Sequence, residues 1–220
     1  MANARSSNPQ NNSVVSEIIT PNPRPIQAIS IRQPWAWAII NGFRPVELRT
    51  WATNFRGTIA VHASQSRSDM TDVVESYLRN LHPMINDVLM AADDEAEAGI
   101  GSYPVIREGR PVNPASLFHF GAIVGTVDIV DCLTIEEAFA TVEVPNRADG
   151  SPAARIHPMD WVDEDVDGYV WLVQNAVKFV NPIEARGKLS LFAMPSDLVD
   201  RVAAERALSI AAASAAAATT

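Results

Sequence analysis

The chain has 220 residues, 47% of them hydrophobic and 20% charged, a composition typical of a globular protein with a substantial core. Its formal net charge of −9 excludes a generally basic surface for unspecific nucleic-acid binding, so an anionic ligand would need a local basic patch. Cys132 is the only cysteine, which excludes an internal disulfide. No apolar run reaches the roughly 18 residues of a membrane span and no signal-peptide core is present, so we expect a cytoplasmic protein without a membrane partner.

The first part of the chain predicts a leader followed by a strand, a helix and two strands. Residues 1–25 are rich in Asn, Ser and Pro, which predicts a disordered leader. Pro34 can open the helix because its missing N–H costs nothing at that position, and Gly42 can end it. The apolar patterns place the four elements at Gln27–Arg32, Pro34–Ile40, Val46–Trp51 and Thr58–Ala63.

Residues 69–117 are expected to form a helical and acidic insertion. Asp69–Met90 carries apolar residues at helical spacing, and Pro83 interrupts them. Asp93–Pro114 is acidic and contains Gly and Pro, which indicates a surface segment. Nine acids and two arginines between Asp69 and Glu108 give this stretch a net charge of −7. One hypothesis is therefore a regulatory protein-interaction domain, in which the insertion docks a basic partner.

The last part of the chain predicts further strands and a C-terminal helix. Thr134 and Glu137 fit a capping box that starts a short helix, and Glu143–Asp167 reads as a long loop near the surface. Ser196 is expected to cap a last helix that fades into an alanine-rich tail, the two together covering residues 196–220. Strands are expected at Ala122–Val130, Tyr169–Gln174, Ala176–Val180 and Lys188–Ala193. Short strands with few helices between them predict an α+β fold, a small mixed β-barrel with flanking helices, rather than a doubly wound parallel sheet.

The segment Ile29–Ala63 stands out because four arginines and three tryptophans lie in an otherwise apolar run. Core formation explains its isoleucines and alanines but not its arginines. On a strand through residues 46–51, Glu47, Arg49 and Trp51 would share one face, because side chains alternate with period two. One interpretation is a ligand-binding face, with Arg49 on a phosphate and Trp51 as a stacking surface. The alternative is a Glu–Arg pair that tethers a helix to a strand.

The same segment resembles a known family. The run SIRQPWAWAIINGFRPVELRTW, followed by FRGTIAVHA, is similar to the ASCH domain, a PUA-like β-barrel family with the signature Gly-x-Lys-x-x-Glu-x-Arg. Gly42, Glu47 and Arg49 occupy matching positions, and the QPW opening resembles one subgroup. GAIVGTVDIVDC and YVWLVQNAVKFVNPIEARGKLSLF resemble the central and closing strands. The resemblance covers residues 26–195 and implies a PUA-like domain interrupted by the insertion.

The resemblance implies a nucleic-acid-binding module, with RNA or a modified nucleotide as ligand and the motif lining a cleft between the first helix and the barrel. Some members resemble amidohydrolases acting on acetylated cytidine nucleosides through the motif lysine, and nuclease activity is ascribed to others. Arg44 stands in place of that lysine here. Arginine stays protonated and offers only charge and a planar fork of donors, which favours binding over catalysis.

The candidate residues follow from the motif and its flanks. If the protein is an enzyme, we expect Glu47 to act as general base, with Lys188 or Arg44 stabilising developing negative charge. No cofactor is expected, and no two of the four histidines have metal-ligand spacing. The candidate ligand-binding residues are Gln33, Trp35, Arg44, Glu47, Arg49, Trp51, Arg56 and Lys188.

Overall fold

The computed structural model describes residues 25–69, 105–107, 110–112, 118–141, 158–162 and 167–218, the two short segments at 105–112 by their backbone alone. Within these residues the chain forms eight strands, three α-helices and one 3-10 turn. In chain order they are β1 Gln27–Ile31, α1 Trp35–Ile40, β2 Val46–Arg49, β3 Gly57–Ala63, β4 Val105–Arg107, β5 Arg110–Val112, β6 Ala122–Thr134, α2 Ile135–Thr141, the 3-10 turn Pro158–Trp161, β7 Tyr169–Glu184, β8 Leu191–Ala193 and α3 Ser196–Ala217.

Six of the strands form one mixed sheet in the order β2-β7-β6-β3-β1-β8. β1 and β3 are parallel, and every other neighbouring pair in this sheet is antiparallel. The sheet curls into a half-barrel, and β4 and β5 pair separately as a hairpin. The α+β class with a small mixed barrel-like sheet is thus confirmed. The predicted helices of the insertion and the leader at residues 1–24 lie outside the described residues.

β7 corrects the prediction of two separate strands at Tyr169–Gln174 and Ala176–Val180. The backbone runs as one strand from Tyr169 to Glu184, and Asn175 within it adopts a left-handed φ of 53°. The register of β7 against β6 also shifts in this region, between Thr126 and Asp128. A bulge in one long strand therefore produced the apparent break in the sequence pattern, since an extra residue reverses the alternation of side chains.

Other boundaries also differ from prediction. β2 ends at Arg49 rather than Trp51, β6 extends to Thr134, and the last strand is only Leu191–Ala193. α3 has Pro195 as its N-cap with no side-chain capping bond, so Ser196 is not the cap. The helix continues through the alanine-rich segment to Ala217, because alanine has the highest intrinsic helix propensity.

The capping box at the start of α2 is confirmed. The Glu137 N–H donates to Thr134 Oγ1 at 3.1 Å, and the Thr134 N–H donates to Glu137 Oε2 at 2.9 Å. Two segments predicted to be irregular surface contain structure. The hairpin of β4 and β5 lies within the acidic insertion, and Met159 and Trp161 in the loop before β7 are buried in the core.

The core lies between the sheet and its helices. α1 is short but buried from Ala36 to Ile40, and Trp37 packs beside Phe118 and Trp161. Trp171 joins the neighbouring cluster around Ile39, so Trp37 and Trp171 both belong to the core. Because α1 is held by burial on all sides, the turn that follows it is fixed against β7, and that turn carries the arginine motif. None of the described helices is long and apolar enough to cross a membrane.

Candidate nucleic-acid interface

The centre of the motif is a carboxylate held between two guanidinium groups. Arg44 Nη1 lies 3.1 Å from Glu47 Oε2, and Arg49 Nη2 lies 2.8 Å from Glu47 Oε1. The side chains of Arg44 and Glu47 are 7% and 8% exposed, whereas that of Arg49 is 22% exposed. The three residues therefore form one network with a net charge of +1, and its exposed member is Arg49.

Local structure explains why these three side chains meet. The backbone N–H groups of Phe43 and Arg44 both donate to the Ala38 carbonyl, at 2.9 Å and 3.1 Å, which folds the chain back onto α1. Gly42 permits this turn because its φ is 76°, a left-handed value that suits glycine. β2 then places Glu47 and Arg49 two residues apart on one strand. The Arg44–Glu47 ion pair joins the turn after α1 to β2. This is the arrangement expected if a Glu–Arg pair tethers the helix to the strand.

An aromatic pair borders the network. The guanidinium carbon of Arg44 lies 5.0 Å from the Trp35 ring centroid and 6.0 Å from that of Trp161. The two rings meet edge to face, with centroids 6.4 Å apart, and the Trp35 indole N–H donates to Asp69 Oδ2 at 3.2 Å. The quadrupole of each ring attracts a cation over its face, so Trp35 and Trp161 stabilise the charge of Arg44 in a site with little water.

Arg49 also links the motif to a distant strand. Its Nη2 donates a 2.8 Å hydrogen bond to the carbonyl oxygen of Ser30 on β1. The guanidinium is therefore held from two sides, by Glu47 and by the Ser30 carbonyl. Two fixed partners restrict the rotamers of this long side chain, so the plane of its donors has a defined direction.

The other two arginines of the segment also have acidic partners. Arg32 pairs with Asp69 at 3.0 Å, and Arg56 pairs with Asp131 at 2.7 Å while donating to two backbone carbonyls. The Cys132 N–H and the Arg56 guanidinium together hold the pKa of Asp131 below its ordinary value. Each of the four arginines is thus ion-paired. Arg44 and Arg49 share Glu47 of the same segment, whereas Arg32 and Arg56 pair with acids outside it. Arg32 and Arg56 remain 57% and 40% exposed at their side chains.

Gln33 and Trp51 have structural tasks in this arrangement. Gln33 is 1% exposed, its amide nitrogen donates to the His119 carbonyl at 2.8 Å, and its oxygen accepts from the Trp37 N–H at 2.9 Å. The Trp51 ring meets the buried Trp171 ring edge to face, with centroids 4.6 Å apart. Both side chains therefore position the backbone around the motif. Trp35, which is half-buried beside Arg44, remains the motif tryptophan nearest the arginine network.

A cleft of about 430 Å³ lies between the end of α1 and β7. Its lining includes Asn41, Arg44, Gln174 and Asn175. Of the signature positions, Gly42 and Arg44 line this cleft, whereas Glu47 and Arg49 do not. Because Arg44 is almost fully buried, the exposed polar groups of this cleft come from the Asn and Gln side chains rather than from the motif cations.

Lys188 lies elsewhere. It lines a larger cleft of about 940 Å³ together with Ser30, His62 and Arg186, and its ammonium lies 6.0 Å from the Phe192 ring centroid. Within the described part of the chain it forms no hydrogen bond or ion pair with Arg44, Glu47 or Arg49. Ser30 nevertheless connects the two places, because its carbonyl binds Arg49 while the residue itself lines the larger cleft.

The buried His62 and the partly buried Ser30 form a hydrogen-bonded pair that lines this larger cleft. His62 Nε2 lies 3.0 Å from the Ala185 carbonyl oxygen, which can only accept, so Nε2 carries the proton. The Ser30 hydroxyl then donates to the unprotonated Nδ1 at 3.2 Å. Burial lowers the pKa of His62 below 6.5, although the Ala185 hydrogen bond opposes that shift. His62 is therefore neutral at pH 7 and adds no charge to the cleft.

Sequence reasoning missed most of this cleft. Its walls come from β1, the end of β3, the chain before β6 and the loop after β7, so no local motif contains them. The cations of the Arg186-Gly187-Lys188 tripeptide were the one available signal. In the described residues, no three His, Cys, Asp or Glu side chains converge in a way that could hold a metal ion.

Comparison with known proteins agrees with the motif. The ASCH domain family model matches residues 29–183. The chain is 27% and 28% identical over 106 residues to Activating signal cointegrator 1 of Homo sapiens and of Mus musculus, matches that span 48% of this chain but 14% of each relative. It is also similar to the crystal structure of ASCH from Zymomonas mobilis, with a TM-score of 0.40 and 11% identity over 83% of this chain and 96% of that one. The family predicted from the motif is confirmed, and the chain belongs to the ASCH domain family.

Proposed function

We propose that this ASCH domain binds nucleic acid, with single-stranded RNA or a modified nucleotide as ligand. The family is regarded as a group of RNA-binding modules, and the residues of its signature are present here apart from the lysine. The chain as a whole is acidic, with a net charge of −9, so binding depends on a local surface.

The observation that carries the proposal is the state of Arg49. Its guanidinium is held by Glu47 and by the Ser30 carbonyl, yet its side chain is 22% exposed. A guanidinium fixed in direction loses little entropy when a phosphate arrives, and its Nη1, which neither the Glu47 nor the Ser30 contact uses, can donate to a phosphate oxygen. The buried Arg44 neutralises Glu47, so the net positive charge of the network is carried by Arg49 at the surface.

Arg32 and Arg56 would complete the phosphate contacts. Both are ion-paired at exposed positions, where such pairs contribute little stability and are readily exchanged for another anion. Trp35 would supply an aromatic face for an unstacked base beside Arg44. Gln33 and Trp51 act in this proposal by positioning the motif, and Lys188 acts from the neighbouring cleft.

Binding has more support than hydrolysis. Glu47 Oε2 accepts from Arg44, and Glu47 Oε1 lies 2.8 Å from Arg49 Nη2 in an ion pair, so neither oxygen is directed at an open substrate site. A general base must come within hydrogen-bond reach of the proton that it removes. Lys188, the other candidate for catalysis, lines a different cleft from Arg44, and a permanently protonated arginine occupies the position of the motif lysine.

The test is binding of labelled single-stranded RNA by fluorescence anisotropy between about 50 and 200 mM salt. We expect log K to fall linearly with log salt, by about 0.7 for each phosphate contact. Arg49→Ala should weaken binding and reduce that slope. Arg201→Ala is the matched control, because it removes one positive charge from the exposed side of α3. RNA affinity that Arg49→Ala leaves unchanged contradicts the proposal.

Turnover distinguishes the hydrolase alternative. RNA and acetylated cytidine nucleosides are incubated with the protein and the products separated by chromatography. Product that forms with the wild type and disappears in Glu47→Gln protein that circular dichroism shows to be folded would favour hydrolysis over simple binding. The docking of a basic protein partner by the acidic insertion stays a prediction, because residues 70–104 lie outside those described. The domain boundaries and the cytoplasmic location also stay predictions.

A further inference from the structure

We propose that the cleft of about 940 Å³ beside the motif is a nucleotide subsite, in which Arg186 and Lys188 hold a phosphate group and Phe120 with Arg67 supports a base. This subsite rests on the proposed nucleic-acid binding. It lies outside the signature motif, in a second cleft that the same ligand would reach. Small-molecule sites typically enclose about 300–1,000 Å³, so the cleft has room for one nucleotide.

The first argument is charge. Arg186 and Lys188 are exposed, they line the cleft, and among the described residues neither takes part in an ion pair. The four arginines of the motif segment, in contrast, are all paired with carboxylates. Glu184 is the one acid that lines the cleft, which leaves its lining with a net charge of +1. Two adjacent cations without a carboxylate partner favour an anionic ligand.

The second argument is a planar platform. Phe120 lines the cleft and is half-buried, and the guanidinium carbon of Arg67 lies 4.6 Å from its ring centroid. Aromatic rings and arginine planes are the two surfaces on which proteins stack unpaired bases. The exposed amide of Gln65, which also lines the cleft, offers both a donor and an acceptor for a base edge, and the Glu184 carboxylate can accept from a base amine.

The third argument is that the backbone between Arg186 and Lys188 packs closely against the side chains of His62 and Ser30. A Cβ placed on Gly187 would lie 2.5 Å from His62 Cε1 and 2.6 Å from Ser30 Oγ, so the backbone between Arg186 and Lys188 rests directly on the Ser30–His62 pair. Only glycine permits that approach. His62 is in turn fixed by the Ala185 carbonyl. The loop is thereby held in one position, as a preorganised phosphate site requires.

The fourth argument is continuity with the motif. Ser30 lines the cleft, and its carbonyl accepts from Arg49. The surface at Arg49 and the cleft that holds Arg186 and Lys188 therefore adjoin at this residue. A nucleic-acid strand with one phosphate at Arg49 can place a neighbouring nucleotide in the cleft. This arrangement predicts that a single-stranded oligonucleotide binds more tightly than a mononucleotide, because it engages both places.

The experiment compares RNA binding by full-length Arg186→Ala, Lys188→Ala and Phe120→Leu proteins with binding by Arg201→Ala, which alters one exposed charge on α3. We expect each of the first two variants to lower the salt slope by about 0.7. Phe120→Leu keeps an apolar side chain but removes the ring, and we expect it to weaken binding by roughly fivefold to 100-fold. Circular dichroism of each variant verifies that it is folded.

A second measurement adds cytidine monophosphate and, separately, inorganic phosphate to the wild-type protein in a calorimeter. We expect the nucleotide to bind more tightly than phosphate alone, with both affinities reduced in Lys188→Ala. RNA affinity that the cleft variants leave unchanged while Arg49→Ala weakens it overturns the subsite and leaves the proposed function standing. Absence of any RNA binding by the wild type overturns both.

Discussion

Arg49 on β2 donates a 2.8 Å hydrogen bond to the carbonyl oxygen of Ser30 on β1, although three strands separate β2 from β1 in the sheet. The bond therefore joins two strands that are not neighbours in the sheet. Pairing of β1 with β8 ends at Ile29, so the Ser30 carbonyl has no strand partner on that side. The motif arginine supplies the missing donor and closes the curled sheet at this point. A residue of the family signature thus has a structural task as well as the proposed ligand contact.

Arg49→Ala should therefore destabilise the fold as well as weaken RNA binding. It removes the ion-pair partner of one oxygen of the buried Glu47 carboxylate and the donor to the Ser30 carbonyl. Loss of one partner of a partly buried hydrogen-bonded group costs about 1–3 kcal/mol. Urea denaturation measures the free energy of unfolding, with Arg201→Ala as control. A urea midpoint equal to that of the wild type would show that the contacts of Arg49 with Glu47 and Ser30 do not stabilise the fold.

Glu47→Gln should be more damaging than Arg49→Ala. The glutamine would remove the carboxylate charge that two guanidinium groups share, one of them almost fully buried. Breaking a buried ion pair by removal of one partner costs about 3–5 kcal/mol. The matched control is Glu136→Gln, which alters an exposed glutamate on α2. Equal unfolding free energies for the two variants would contradict the buried network.

Stability should fall on mild acidification because of His62. Burial holds its pKa below 6.5 in the folded protein, whereas the unfolded chain has the ordinary value. The unfolded state then binds more protons as pH falls below about 6.5, so this contribution to stability is complete above that pH and is lost as pH drops through the folded-state pKa. His119 shifts in the same direction, through partial burial and the charge of Lys178.

Thermal unfolding between about pH 8 and pH 5 measures this effect. We expect the melting temperature to decrease below about pH 6.5 in the wild type and to decrease less in His62→Gln. The carboxyl of Asp131 does not interfere, because its pKa lies below 3.8. Identical pH profiles for the two proteins would show that His62 is not buried in its neutral form.

Gly187→Ala should disrupt the wall of the larger cleft. The new methyl group would lie 2.5 Å from His62 Cε1, far inside van der Waals contact, so the loop or the histidine must move. Overpacking of this kind costs about 1–3 kcal/mol. We expect a lower urea midpoint and weaker RNA binding. Leu189→Ala, in the same loop, is the control for the urea midpoint, since Leu189 is 93% exposed. Wild-type behaviour of Gly187→Ala would mean that the loop does not rest on the Ser30–His62 pair.

Local patterns were sufficient to predict β1, α1 and β3 to within a residue or so, because each combines an apolar core face with a turn residue such as Pro34 or Gly42. The bulge at Asn175 in β7 was not predictable in this way. Pairing with β6 on both sides of Asn175 shows that the chain continues as one strand.

The site was predictable in its residues but not in its geometry. The motif identified Arg44, Glu47 and Arg49, and strand alternation predicted that the last two share a face. The acids that pair with Arg32 and Arg56 lie 37 and 75 residues away, so no local pattern could have named Asp69 or Asp131. The apparent excess of arginine in the segment is largely balanced in three dimensions. Among the described residues, positive charge without an ion-pair partner is found instead at Arg186 and Lys188, of which the sequence made only Lys188 a candidate.

A two-dimensional amide NMR titration of the full chain with single-stranded RNA tests the proposed interface most directly. We expect the amide resonances of Ser30, Gln65, Gly187 and Lys188 to shift together with that of Arg49, with less change at higher salt. Resonances of the exposed face of α3, including Arg201, should stay in place. Shifts confined to α3, or a spectrum that RNA leaves unchanged, would contradict a nucleic-acid interface centred on Arg49 and the neighbouring cleft.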